Sequence, residues 1–303
     1  VLRRRHHGRY PVLILGLAKT DGKARFGGPF SWRGGVAVWV ESGGLRLFNA
    51  AATWQGPAMT HLSPLAFGCM QFGGRADAPA SRAMFDAARA AGITHFDTAH
   101  VYTGGGSERL LGGFVAGDAS VQVATKLGYD GGAGRANLVA QFDESRRRLG
   151  MDAVDLVYLH RFDNGTPLEE TLEVFADWQT RGFLARIGLS NFAAWQVMKA
   201  QAVAASFGTR IEAIQPMYSL VKRQAEVELL PMVADQGITA YTYSPLGGGL
   251  LTGKYAAGGA GRLTEDSRYA ARYGRSEMAV AAEGLARLAE GLGTHPATLA
   301  VAW

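Results

Sequence analysis

From residue 65 onward the chain alternates short runs rich in aliphatic and β-branched residues with longer stretches whose apolar positions recur every three or four residues. The second period marks amphipathic helices, and its alternation with short strands marks βαβ units around a parallel sheet. The runs predict seven strands, at 65–70, 94–97, 121–126, 155–160, 185–189, 213–216 and 238–243. Helices are predicted at 81–91, around Ser107 and Leu110, and at 137–149, 168–181, 195–206 and 224–236, with two more at 277–292 and 296–303. Gly92, Gly150, Gly182, Gly208 and Gly237 fall just past helix ends, where a residue without Cβ closes the last turn in the left-handed conformation.

The two ends break this rhythm. Residues 1–58 carry Gly-rich patches around short β-like runs and no helical period. Their status is open between a short β element under the sheet and non-native sequence upstream of a natural start at Met59; the second is favoured. After Ser276 only helical patterns follow, so the strand count stops at seven. The expected division is therefore 1–58 as a segment of unclear status and 59–303 as the folded domain. A length of 303 residues suits one α/β barrel of roughly 250 residues with an appendage.

Composition narrows the class. Hydrophobic residues at 48% and charged residues at 19% lie near the globular average and exclude a disordered or fibrous chain. The net charge of +5 is spread singly among acidic residues rather than in a basic stripe with interleaved aromatics, so nucleic acid is not an expected partner. Arg3-Arg4-Arg5-His6-His7 reads as a solvated terminal run. Cys69 is the single cysteine, which rules out an intramolecular disulfide and a Cys-rich zinc site, and fits a reducing cytoplasm. The apolar run at 12–18 follows basic residues as a signal peptide would, but it is short and leads to no clear small-residue cleavage site. No stretch reaches the ~18 apolar residues of a membrane helix, so no membrane partner is expected. No metal site is expected.

Chemistry concentrates at predicted strand ends. Phe96-Asp97-Thr98-Ala99 closes the second strand, with Tyr102 and Gly104-Gly105-Gly106-Ser107-Glu108 in the loop beyond. Lys126 closes the third strand and His160 the fourth. Active sites of α/β barrels are built on that face. Any one of these residues alone reads as a solvated or structurally bonded side chain; four together point to a site.

In order and spacing, Phe96-Asp97-Thr98-Ala99 with Tyr102, Thr125-Lys126 and Leu159-His160 resembles the tetrad of the aldo-keto reductases, a resemblance that covers residues 62–303. It implies a (β/α)8 TIM barrel, here without its eighth strand and final helix. It also implies hydride transfer from NAD(P)H to an aldehyde or ketone, with Tyr102 as proton donor. A phenol of ordinary pKa about 10 exchanges its proton slowly near neutrality. An ammonium on Lys126 would favour the phenolate, Asp97 would hold that ammonium charged, and His160 would hydrogen-bond the carbonyl oxygen.

The resemblance further implies a cofactor set. Ser190, Asn191 and Gln215 would bind the nicotinamide carboxamide and Tyr243 would stack on its ring, while Gln215 reads equally well as a buried structural amide. Ser244, Leu246, Gly247 and Lys254, in the run from Ser244 to Tyr255, resemble the loop that folds over the pyrophosphate, where backbone amides cradle phosphate. The cofactor implied is NADPH; NADH stays open, because the 2′-phosphate contacts belong to the strand and helix not found here. Gly128-Tyr129 and Phe162 either line the substrate pocket or pack beneath it. The partner expected is a small carbonyl substrate. Two other functions fit the same motifs: a nicotinamide-binding regulatory subunit like the potassium-channel β subunits, and an inactive, truncated reductase.

Overall fold

A computed structural model describes residues 64–303 and, of the preceding segment, two strands. These two, β1 (Val36–Glu41) and β2 (Gly44–Asn49), pair antiparallel as a hairpin. They fall in the segment predicted to carry short β-like runs; the rest of residues 1–58 lies outside the described residues.

Seven parallel strands follow in sequential order: β3 (Ala66–Gly68), β4 (His95–Asp97), β5 (Gln122–Leu127), β6 (Val154–Leu159), β7 (Leu184–Ser190), β8 (Ile211–Gln215) and β9 (Thr239–Ala240). All seven predicted strands are present, and β3 and β9 form the sheet edges. The helices between them are α1 (Ala78–Ala90), α2 (Gly106–Val115), α3 (Arg135–Leu149), α4 (Leu168–Thr180), α5 (Ala194–Ser206) and α6 (Leu229–Gln236). This is the order of a (β/α)8 barrel carried through seven strands.

The chain forms two compact units. One holds the sheet, up to Gln215 together with Gly237–Tyr241; the other holds Pro216–Gln236 and Thr242–Trp303. In the first, β5 and β6 are buried along nearly their whole length, as parallel strands covered on both faces are. Within the sheet Ala124, Leu156, Tyr158, Ala213 and Tyr241 pack together, and outside it the Phe142 ring of α3 packs tilted against Trp178 of α4, centroids 4.2 Å apart. The sheet is curled. β4 and β8 stand four strands apart in the order, which in a flat sheet is about 19 Å at ~4.8 Å per strand. Yet Gln215 of β8 hydrogen-bonds Asp97 of β4 at 2.8 Å.

In the second unit, the helix predicted over 224–236 is divided into a 3-10 turn at Gln224–Glu226 and α6. Pro231 accounts for this: it lacks an N–H and disfavours helical backbone before it, so it is tolerated in the first turn of a helix and not in the middle. The predicted strand 238–243 shortens to β9, and beyond it Tyr243 bridges Met217. Helices α7 (Arg262–Glu265) and α8 (Ser267–Tyr273) were not predicted, whereas α9 (Ser276–Gly291) and α10 (Pro296–Ala302) were. All five glycines predicted to end helices have positive φ. Among the described residues no helix is long and apolar enough to cross a membrane.

Candidate functional site

Asp97 ends β4, Lys126 is the penultimate residue of β5 and His160 follows β6 directly. The parallel register therefore brings the three to the same C-terminal edge of the sheet, and the structure places Tyr102 with them. Lys126 is 1% exposed. Its Nζ donates to the Asp97 carboxylate and, at 2.8 Å, to the carbonyl of Thr98, and lies 5.0 Å from the centre of the Tyr102 ring. Burial opposes the charge on Lys126, but the Asp97 carboxylate and the Tyr102 hydroxyl outweigh it and hold the pKa above the ordinary lysine value. The site thus keeps a buried ammonium against a phenol.

The His160 ring meets Tyr102 edge-on at 5.8 Å and leans on Tyr129 at 4.8 Å. Burial, with help from Lys126 and Arg161, pulls its pKa down to about 3. It is a neutral imidazole at physiological pH. Of the candidate pocket residues Gly128, Tyr129 and Phe162, Tyr129 lies against His160 and carries the Arg161 guanidinium 4.7 Å above its ring. Phe162 packs on Phe192 and Trp195 at 5.3 and 5.9 Å.

Tyr102 opens a 3-10 turn, Tyr102–Gly105, that runs into α2. The turn is pinned on both sides. Thr103 has φ +49°; its hydroxyl donates to the carbonyl of Phe72 and accepts from the Ser107 amide, both at 2.8 Å. The Ser107 hydroxyl in turn donates to the carbonyl of Cys69 and sits 2.7 Å from that of Thr98. Glu108, wholly buried, accepts from Thr125 at 2.7 Å and from Arg148 of α3 at 3.2 Å. Arg148 also donates to the carbonyl of His100 and to Glu144. Sequence reasoning missed this brace. Its visible mark was the run Gly104 to Glu108; Arg148, one of three successive arginines, carried none.

Ser190, Asn191 and Gln215 lie together at the ends of β7 and β8. The Ser190 hydroxyl donates to the carbonyl of Gln215 at 3.0 Å, and Asn191 Nδ2 reaches both Ser190 Oγ and the carbonyl of His160. Gln215 Nε2 donates to Asp97. The cofactor residues predicted here thus join the tetrad in one hydrogen-bonded network. Among the described residues the non-glycine residues with positive φ are Thr103, Asn191 and Ser244, each in a predicted site segment, where backbone strain tends to collect.

The other five predicted residues, Tyr243, Ser244, Leu246, Gly247 and Lys254, fall in the second unit. Tyr243 is held by backbone bonds to Pro216 and Tyr218. Leu246 packs on a core of Leu250, Leu251 and Tyr273. Gly247, Gly248 and Gly249 all have positive φ, at 55°, 68° and 96°. A Cβ on Gly248 would lie 2.8 Å from the Tyr269 ring and one on Gly249 3.2 Å from Lys254 Cε. Within this turn the Gly247 and Gly249 amides donate to the carbonyls of Ser244 and Leu246; the amide and hydroxyl set at Ser190, Asn191 and Gln215 suits a carboxamide.

Comparison with known proteins identifies the family. The chain is 42% identical over 195 residues to the human protein named aflatoxin B1 aldehyde reductase member 2, covering 62% of this chain and 54% of that one. It is 40% identical to human aflatoxin B1 aldehyde reductase member 4, covering 62% and 59%. It is 35% identical over 267 residues to a probable voltage-gated potassium channel subunit beta of Oryza sativa subsp. japonica, covering 80% and 79%. The chain thus spans little more than half the length of the two human relatives. Residues 64–303 match the Aldo/keto reductase family over their whole length, and the chain belongs to that family.

Proposed function

We propose that the protein reduces an aldehyde or ketone to an alcohol with NADPH as hydride donor, Tyr102 giving the proton. The observation that carries this reading is the buried Lys126 ammonium, fixed by Asp97 and the Thr98 carbonyl and facing Tyr102. A nicotinamide held by these residues would supply the hydride for the carbonyl carbon. As negative charge builds on the carbonyl oxygen, the Tyr102 hydroxyl delivers its proton there, and the ammonium stabilises the phenolate left behind. His160, neutral at working pH, donates a hydrogen bond to the same oxygen without competing as an acid. Ser190, Asn191 and Gln215 are the proposed carboxamide ligands and Tyr243 the proposed stacking residue. Ser244, Leu246, Gly247 and Lys254 form the proposed phosphate-binding turn.

The human relatives named for aldehyde reduction support an aldehyde as the substrate. The proposed setting is the cytoplasm, with a small carbonyl compound as partner and neither nucleic acid nor membrane. The test is rapid mixing of NADPH-loaded protein with an activated aldehyde. Oxidation of the nucleotide in step with alcohol formation is expected. Nucleotide that stays bound and reduced would favour the regulatory reading, for which the likeness to a potassium channel subunit beta is the supporting observation.

A further inference from the structure

One N–H of the Gln215 carboxamide is given to the tetrad. Its Nε2 donates to Asp97 Oδ2 at 2.8 Å across 118 residues of sequence, and the other oxygen of that carboxylate accepts from Lys126. Asp97 and Gln215 are both buried. Gln215 also receives at its own carbonyl the hydroxyl of Ser190 and, at 3.3 Å, the amide of Asn191. Through it the set at the ends of β7 and β8 meets Asp97.

We propose that Gln215 is a positioning residue for proton transfer: its amide orients the Asp97 carboxylate on Lys126 and offsets part of its negative charge at Tyr102. This rests on the reading of Tyr102 as proton donor. A carboxylate oxygen stripped of a buried donor keeps its desolvation cost without compensation. The full charge of Asp97 would then act on Tyr102 through a medium of low dielectric and disfavour its phenolate. An amide serving only to hold a ligand has no such effect on the unliganded protein.

The test is a tyrosinate absorbance titration of the unliganded protein, comparing wild type with Gln215→Met, each minus its Tyr102→Phe counterpart so that Tyr102 alone is read. The midpoint for Tyr102 is expected to rise in Gln215→Met by about one pH unit, within the range that a neighbouring charge commands. The alkaline limb of aldehyde reduction is expected to move the same way, with kcat falling and the aldehyde KM nearly unchanged. Gln215→Glu is the second variant. A protonated glutamic acid still donates to Asp97, so its kcat should approach wild type in acid and fall as pH rises and the shared proton is lost. An unchanged Tyr102 midpoint in Gln215→Met would overturn the proposal. Should Gln215→Met show no cooperative melt, a kcat profile of Gln215→Glu parallel to wild type would overturn it instead. A wild type that reduces no aldehyde would defeat the proposed function, while the titration would still decide whether Gln215 acts on Tyr102 through Asp97.

Discussion

Lys126 carries its ammonium 5.0 Å from the centre of the Tyr102 ring, in a position fixed by Asp97 and the Thr98 carbonyl. Lys126→Met keeps the length of the stem and removes the charge. Reduction should fall by about 10²-fold or more, the scale of a lost acid–base contribution. The alkaline limb of the rate profile should move upward, because the phenolate loses its stabilising cation. A rate that drops with its profile unmoved would show that Lys126 does not act on the phenol.

Tyr102→Phe separates chemistry from binding. The ring that meets His160 edge-on remains and the proton is gone, so turnover should fall by about 10²- to 10⁴-fold. NADPH affinity, measured by titration calorimetry, should stay close to wild type, since a group that acts in the transition state contributes little to ground-state binding. Retention of most of the turnover would remove Tyr102 from the proton-donor role.

The positions of Asp97, Lys126 and His160 were legible because each ends an apolar run, and a parallel sheet sends all such ends to one edge. What holds them was not. The bond from Gln215 to Asp97 joins β8 to β4 and exists only because the sheet curls. The bond from Arg148 to Glu108 joins two helices through side chains 40 residues apart. Neither has a local period. Helices α7 and α8, of four and seven residues, are too short for an apolar stripe to repeat, and serine has no preference for the left-handed backbone that Ser244 adopts.

His160 should not appear in the pH–rate profile. With its pKa pulled down to about 3 by burial and by Lys126 and Arg161, it stays neutral across the range of about pH 5 to 8 in which an ordinary histidine titrates. His160→Gln, which still offers an N–H donor, should keep more activity than His160→Phe. An acid limb near pH 6.5 that vanishes in either variant would contradict the neutral assignment.

His95 makes the same argument for stability. It is wholly buried on β4, edge-on to Tyr241 at 4.8 Å, with no hydrogen-bond partner among the described residues at either ring nitrogen. Burial lowers its pKa from 6.5 to about 4. A histidine with a depressed native pKa leaves the unfolded chain holding the extra proton between the two values, so stability rises with pH there. The contribution, about 3 kcal/mol at about 1.36 kcal/mol per pH unit, is complete above pH 6.5 and is lost as pH falls towards 4. The melting temperature of wild type should therefore drop over that window relative to His95→Gln. Parallel curves would show that His95 titrates alike in both states.

Gly105 tests the brace behind Tyr102. Its φ is +84°, and a Cβ there would stand 2.5 Å from Cζ of Arg148. A long side chain usually swings clear of such a clash. This one is held by Glu108, by Glu144 and by the carbonyl of His100, so moving it leaves the buried Glu108 without its cation. Left-handed backbone costs a residue with Cβ roughly 1–2 kcal/mol, and forced repacking typically 1–3 kcal/mol more. Gly105→Ala should therefore lose at least about 2 kcal/mol, or about 4–8 °C in melting temperature for a domain of this size. It should also slow reduction by shifting the turn that carries Tyr102. Gly113→Ala is the control: the position is exposed on α2 with ordinary backbone and, among the described residues, nothing within 4 Å of a new Cβ. It should be neutral or gain up to about 1 kcal/mol from helix propensity. Equal melting temperatures for the two variants would mean that Arg148 yields freely and that the pinned turn does not set the place of Tyr102.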